Sequence, residues 1–536
     1  MKLLRFFIFV ILAVSLLPSS IAAEWQWSVQ ISGIVSNETN DHPQAFLWIP
    51  SDCVQVKGVM IGTHNMTEET LFENALFREK MSEIGLALIW ITPGWDQKWD
   101  ITAGSQKAFE QMLDDFASVS GYNELKYAPI VPFGHSAMAT YPWNFAAWNS
   151  DRTLAIISLH GDAPRTNLTG YGRDNMEWGK RTIDGIPGLM IEGEYEWWED
   201  RVIPALAFRM MYPKSCVSFL CDTGRGHFDI ADCTADYIAL FLKKALEYRM
   251  PATYDLNKPV ELKKLNPQNG WLAERWHPNQ KKRAKAAPYK EYKGDSHDAF
   301  WYFDKEMAEM TEERYRRERG KKPQYLGFVQ KGLLLTYNPK SHVKVAARFL
   351  PEKDGLTFHL KAVYTDSLHT AISDEHSLTS PEITRICGPV QKVNDTTFTV
   401  RFYRMGMYNQ RRTGDICLLA GNDGDKHYKS TVQELSFRIP YRNTEGKRQH
   451  ILFPGLDDVK KGTETISLHA TSDCGLPVYY YVKEGPAEIE GNKLVFTRIP
   501  PRSKFPLKVT VVAWQYGLAG EVQTAEPVER SFFIYP

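Results

Sequence analysis

Between residues 56 and 250, short unbroken apolar runs alternate with stretches of helical spacing. The runs are VKGVMIG, LALIWIT, APIVPF, LAIISLHGD, IPGLMIEGE and SCVSFLCD. A run with no polar alternation suits a strand buried on both faces. Between the runs lie LFENALFREKMSEI, SQKAFEQMLDDFASVS and a stretch through Trp148, and DIADCTADYIALFLKKALEY closes the series. Strands joined by helices require crossover connections, so this region predicts an α/β fold with a mainly parallel sheet. Residues 24–50 add two strands ahead of it.

The texture changes after Pro251. Residues 251–300 are rich in Lys, Pro and Asn, as in a linker or wrapping arm, and the stretch from Asp298 to Lys322 has amphipathic helical spacing. Beyond Pro323 come short β-rich segments bounded by Gly, Pro, Asn and Asp, which predict a β-sandwich. Hydrophobic residues make up 43% and charged residues 24%, which excludes a disordered chain. Lys+Arg and Asp+Glu both number 64, so the basic field that non-specific nucleic-acid binding needs is missing. At the start, Lys2 and Arg5 precede the apolar run Phe6–Leu17, and Ala22-Ala23 follow, the layout of a cleaved export signal. No Cys lies near that cleavage point, so no lipid anchor is expected, and no later stretch reads as a membrane span. The expected location is secreted or periplasmic. The seven Cys include no CxxC pair, so no metal site is expected.

Chemistry concentrates in APIVPF-GHSAM-ATYPWNFAAW. A buried strand runs into Gly134-His135-Ser136-Ala137-Met138 and a helix follows, the setting of a nucleophile elbow with Ser136 at its apex. A small residue two before the Ser is present as Gly134; Met138 stands where a second Gly is usual. His227 lies in the Gly-rich loop TGRGHFD between the last strand and last helix, where a general base belongs. The acid should fall between them in sequence. Glu196 fits best, followed by Glu194, Glu199 and Asp200, with Glu192 and Asp162 as further candidates. An oxyanion hole needs two N–H donors: Ala137 after the nucleophile, and Asn65 or Met66 in the loop after VKGVMIG. No cofactor is implied.

In element order and in Ser136 and His227, residues 24–250 resemble the α/β-hydrolase superfamily. The closest resemblance is to secreted Bacteroidetes-type carbohydrate esterases encoded with polysaccharide-degrading systems, including a pectin methylesterase of this fold. It implies ester cleavage on a plant glycan. SDCGLPVYYYVKEGPAEIEGN is similar to bacterial immunoglobulin-like modules. The expected organisation is a signal peptide at 1–23, a catalytic domain at 24–255, a linker and helix at 256–325, a β-rich domain at 326–450 and an immunoglobulin-like β-sandwich at 451–536.

The loops of the first half are dense in Trp, and Trp95, Trp197 and Trp198 are candidate sugar platforms, with core packing as the alternative. Arg225 is a candidate anion contact, and Arg165, Arg173, Lys180 and Arg201 flank the same region. The expected substrate is a polysaccharide or oligosaccharide, with a pectin methyl ester ahead of an acetylated glycan; the oligomeric state is left open. An exported serine peptidase, an inactive glycan-binding protein, and a function lodged in the β modules are the competing readings.

Overall fold

The computed structural model describes residues 24–165, 176–196, 198–278, 280–407 and 409–536. The signal segment and Arg173 lie outside these residues, as do Trp197 and the side chain of Trp198.

Eight strands form the central sheet: β1 (Trp27–Gln30), β2 (Gln44–Trp48), β3 (Gly58–Thr63), β4 (Leu86–Thr92), β5 (Ile130–His135), β6 (Ile156–Leu159), β7 (Pro187–Gly193) and β8 (Cys216–Asp222). Their spatial order is β1-β2-β4-β3-β5-β6-β7-β8. The first two strands pair antiparallel and β3 to β8 run parallel, which is the α/β-hydrolase sheet. Every residue of β3 to β8 is buried, as the unbroken apolar runs require.

The helices are α1 (Glu68–Glu73), α2 (Ala75–Ile84), α3 (Ser105–Ser120), α4 (Tyr141–Trp148), α5 (Trp198–Met211) and α6 (Asp232–Arg249). The helical spacing of LFENALFREKMSEI is split at Asn74. Asn74 takes an extended conformation and its side chain accepts the Phe77 N–H at 2.8 Å, so it caps α2. Gly85, at φ 73°, ends α2.

Residues 256–325 are not a spacer. Leu272, Ala273, Trp276, Phe300, Trp301, Tyr302 and Tyr315 belong to the same buried apolar cluster as β7, β8 and α6. Ser218 Oγ donates to the Trp301 carbonyl, and the Tyr302 hydroxyl donates to the Phe219 carbonyl at 2.6 Å. The helix α7 (Lys305–Glu318) packs in the same place, and the Tyr315 hydroxyl accepts the Cys221 N–H at 3.1 Å. Of the two readings of residues 251–300, this packing matches the wrapping arm and not the spacer, because the arm contributes scattered aromatic anchors to the hydrolase cluster.

Residues 326–450 fold into short, mostly antiparallel sheets around an apolar cluster that also takes in Tyr481, Val512, Trp514 and Tyr516. Residues 451–536 form a sandwich, with a four-stranded sheet that includes Leu507–Trp514 facing a three-stranded one. Among the described residues no helix is long and apolar enough to cross a membrane.

Candidate active site

Ser136 sits at the end of β5, in the turn before α4, and is half-exposed. Its φ is +52°, a left-handed conformation that non-glycine residues rarely adopt. The strain is held by close approaches on either side. A Cβ on Gly134 would lie 2.0 Å from the Met138 carbonyl oxygen, so only glycine fits there. The missing second glycine of the elbow is replaced from neighbouring loops. A Cβ on Gly94 would meet Met138 Cε at 2.4 Å, and one on Gly161 would meet Ala139 Cβ at 2.0 Å. Met138 is tolerated because Gly94 and Gly161 make room for it and for Ala139.

His227 Nε2 is 2.8 Å from Ser136 Oγ. Its Nδ1 donates to Glu196 Oε2, which fixes the tautomer and leaves the Nε2 lone pair facing the Ser hydroxyl. Glu196 is the candidate acid that the fold brings to His227. Asp162 instead accepts from Thr140 Oγ1 at 2.7 Å, Glu192 pairs with Arg201 at 3.0 Å, Glu194 pairs with Lys429 at 2.8 Å, and Glu199 pairs with Arg275 at 3.2 Å. Asp200 is exposed in the first turn of α5.

Glu196 is held from four directions. Its Oε1 accepts from His160 Nδ1 at 2.5 Å and from the Gly193 N–H at 2.6 Å, and Arg201 donates to Oε2 at 3.2 Å. His160 is fully buried at the end of β6 and has φ +50°. Burial alone would raise the Glu196 carboxyl, but His160 and His227 hold it well below the carboxylate range. Burial lowers His227 to about 4 against the opposing pull of Glu196. The imidazole is therefore neutral near pH 7, the form that accepts a proton. His160, Glu196 and His227 are also the one group of metal-ligand type among the described residues, with donor atoms within 4.8 Å of one another. The two hydrogen bonds to the shared carboxylate account for that clustering.

The predicted oxyanion donors are differently engaged. The Asn65 and Met66 N–H groups both donate to Glu68, at 3.1 and 3.0 Å. The His135 N–H donates to the same carboxylate at 2.9 Å. Burial raises Glu68 to about 7 despite these three donors. Ala137 follows Ser136 in the turn, half-exposed. Arg225 is buried and ion-paired with Asp229 at 3.0 Å, so it braces the His227 loop instead of facing an incoming anion. Trp95 is half-buried, 6.0 Å from Trp99, while Trp143 and Trp178 are core residues.

Three parts of the site were not read from the sequence. His160 stands at a strand end beside the elbow, and that position was its only signal. Glu68 is a first-turn helix acid, an ordinary feature until β5 is placed beside it. His342 comes from the 326–450 region, and its ring lies edge-on to His227 at 4.6 Å.

The strand order and the elbow define an α/β-hydrolase fold. The chain is similar to Est1E from Butyrivibrio proteoclasticus, at 17% identity over 41% of this chain and 99% of that one, with a TM-score of 0.29. It is also similar to LpqC, a poly(3-hydroxybutyrate) depolymerase from Bordetella parapertussis, at 9% identity over 43% and 92% of the two chains, TM-score 0.31. Dienelactone hydrolase from Anabaena variabilis gives 14% identity, 41% and 96% coverage, and a TM-score of 0.27. No family model and no curated protein matches the chain.

Proposed function

We propose that the protein is an exported serine ester hydrolase that removes ester groups from a plant polysaccharide, with pectin methyl esters as the substrate. The observation that carries the hydrolase reading is the continuous chain from Ser136 Oγ through His227 to Glu196. Ser136 attacks the ester carbonyl as His227 takes its proton. Glu196 stays ionised and steadies the imidazolium that forms. The Ala137 N–H is one oxyanion donor, and the second is the N–H of Asn65 or Met66, released from Glu68. His227 then protonates the leaving alcohol and activates water to free the acyl group. On a methyl-esterified uronate, methanol leaves first and the uronyl group is held on Ser136. The glycan substrate is supported by the resemblance to carbohydrate esterases and by the reading of residues 1–23 as an export signal.

The test is proton NMR of small products released from native pectin and acetylated xylan. Methanol from the parent, reduced by about 10⁴-fold or more in Ser136→Ala, is the expected result. Acetate in its place makes the enzyme a glycan deacetylase. No small product from any glycan ester sinks the polysaccharide reading. The pH profile checks the general base. With His227 lowered to about 4, kcat/KM should be flat from pH 6 to 8 and fall only as pH approaches 4. An acid limb centred near the ordinary imidazole value of 6.5 would contradict the buried, neutral base.

A further inference from the structure

Cys387 and Cys417 face each other where residues 326–450 press on the catalytic loop. They are directly opposed residues of the antiparallel strands Glu382–Cys387 and Asp415–Asn422. Such opposed residues have Cα atoms about 4.5–5.5 Å apart, inside the ~4.4–6.8 Å window of a disulfide. Both side chains are buried in one small apolar cluster with Ile386, Leu419, Val432 and Phe228. The Cys417 thiol is also in hydrogen-bond contact with that of Cys387. Both are free thiols in this structure. The other two cysteines in strands, Cys216 and Cys221, lie opposite Pro187 and Glu192.

The pair sits behind the triad. Phe228, in the same cluster, lies edge-on to the His227 ring with 4.5 Å between centres. The register shifts between Arg385 and Cys387, a bulge that bends the strand there. The bulge meets the hydrolase: the Ile386 carbonyl accepts from Thr70 Oγ1 of α1, and Arg385 approaches Glu69 at 3.5 Å. The chain between the two cysteines, residues 388–416, carries Arg404, which is ion-paired with Glu69 and Glu73. A bond between the sulfurs would therefore close a loop around the groups that hold this region against α1. Closing such a loop stabilises mainly by restricting the unfolded chain.

We propose that Cys387 and Cys417 are a disulfide site, which a disulfide oxidant closes into a clasp on the wall behind His227. One cysteine thiolate attacks the oxidant's S–S bond, leaving a mixed disulfide and releasing one small thiol. The second cysteine thiolate attacks the protein sulfur of that mixed disulfide and expels the other small thiol. The protein loses two electrons and two protons, and the oxidant is reduced to two thiols. The thiolate is the nucleophile, and the Cys417 thiol is pushed well above its ordinary range, first by its bond to Cys387 and then by burial. Exchange is therefore slow in the packed protein and proceeds as the strands form or open. The inference is independent of which ester is cleaved; the proposed export would bring the chain to an oxidising compartment.

Two measurements on the full chain test it. In the first, the purified protein is equilibrated in glutathione buffers from fully reduced to fully oxidised, quenched in acid and alkylated, and its thiols are counted and mapped by mass spectrometry. Two of the seven thiols should be lost in one step, and the linked peptides should be those of Cys387 and Cys417. Seven thiols at every poise, a bond between other cysteines, or glutathione adducts at this pair without a cross-link overturn the site. Glutathione supplies the oxidant, so this result stands apart from the export reading. The second measurement compares urea unfolding of the oxidised and reduced parent by Trp fluorescence. The oxidised form should unfold at a higher midpoint, and Cys387→Ser should remove the difference. A bond that forms with no change in midpoint overturns the clasp. The parent comparison decides this even where the Ser variant fails to fold.

Discussion

The two β-rich regions are attached to the hydrolase sheet by different physics. Residues 451–536 merge with it. Val509, Val511, Ala513 and Phe532 share one apolar cluster with Trp27, Leu47, Phe109 and Phe116 of the hydrolase. The main apolar cluster of residues 326–450 is shared with Tyr481, Val512, Trp514 and Tyr516 of the last region, and its described members include none from residues 24–250. Beside a small apolar cluster that joins Phe228 to Ile386, Cys387, Cys417, Leu419 and Val432, that region docks through buried charge. Arg404 reaches Glu69 at 3.2 Å and also bonds Glu73, Arg385 approaches Glu69 at 3.5 Å, and Lys429 meets Glu194 at 2.8 Å. An apolar joint is non-directional and stabilises in proportion to buried area. A buried ionic joint adds little net stability but punishes any change in its geometry. The directional joint is the one beside the triad, where Glu194 lies two residues from Glu196 and His342 meets His227.

The largest effect should come from the apolar joint. Val511 is fully buried in the shared cluster. Val511→Asp places an unpaired charge there and should cost about 5 kcal/mol or more. Denaturant unfolding followed by Trp fluorescence and residual esterase activity should show both signals lost together at a lower midpoint. If activity keeps the parent midpoint while fluorescence reports a separate early transition, the two regions do not share a core in energetic terms.

This contrast also explains what the sequence made readable. β3 to β8 were visible because strands buried on both faces leave unbroken apolar runs. Ser136 and His227 were visible because chemistry at the ends of parallel strands has a fixed order. Glu196 stood among six acids, and only the fold shows which carboxylate meets the His227 ring. The apolar strand Leu507–Trp514 was readable as a strand but not as a joint. Its odd positions Val509 and Val511 enter the cluster shared with the hydrolase, while Val512 and Trp514 enter the neighbouring one. His342 left no signal, because a residue more than a hundred positions from His227 meets it only through long-range docking. Arg225 was read as an anion contact for a different, local reason: its partner Asp229 is only four residues on, and the pair closes when the loop folds.

The ionic joint should respond next. Arg404 and Glu69 are both buried, so Arg404→Leu leaves Glu69 and Glu73 without their shared cation and should cost about 3 kcal/mol at pH 8. The loss should depend on pH with a definite sign. Burial, and next the charge of Glu73, raise Glu69 to about 7 from an ordinary 4.5. Between these values the folded state holds a proton that the unfolded state has released. The contribution of this group is therefore complete below 4.5 and is lost as pH rises through 7. Without Arg404 the ionised form is less favourable still, so the deficit against the parent should be smaller at pH 5 than at pH 8. Paired urea titrations at the two pH values measure this. A deficit that grows toward pH 5 would mean that Arg404 is not stabilising a carboxylate.

The smallest effect should be the ion pair at the apolar joint. Arg502 reaches Glu124 at 2.9 Å and lies 5.1 Å from the centre of the Tyr122 ring, so on a list of contacts it resembles Arg404. Its surroundings differ. The Arg502 side chain is 35% exposed, whereas that of Arg404 is 2% exposed, so removing Arg502 opens the buried Glu124 to water and removing Arg404 does not open Glu69. The Val56 N–H also donates to Glu124 at 3.2 Å, so that carboxylate keeps a partner without the arginine. Arg502→Ala should therefore cost about 0.5–1 kcal/mol at pH 8, well under the loss at Arg404. The same urea titrations read both variants side by side. A loss at Arg502 equal to that at Arg404 would show that charge holds both joints, and the sharing of Val511 with the hydrolase core would then be packing without a distinct energetic role.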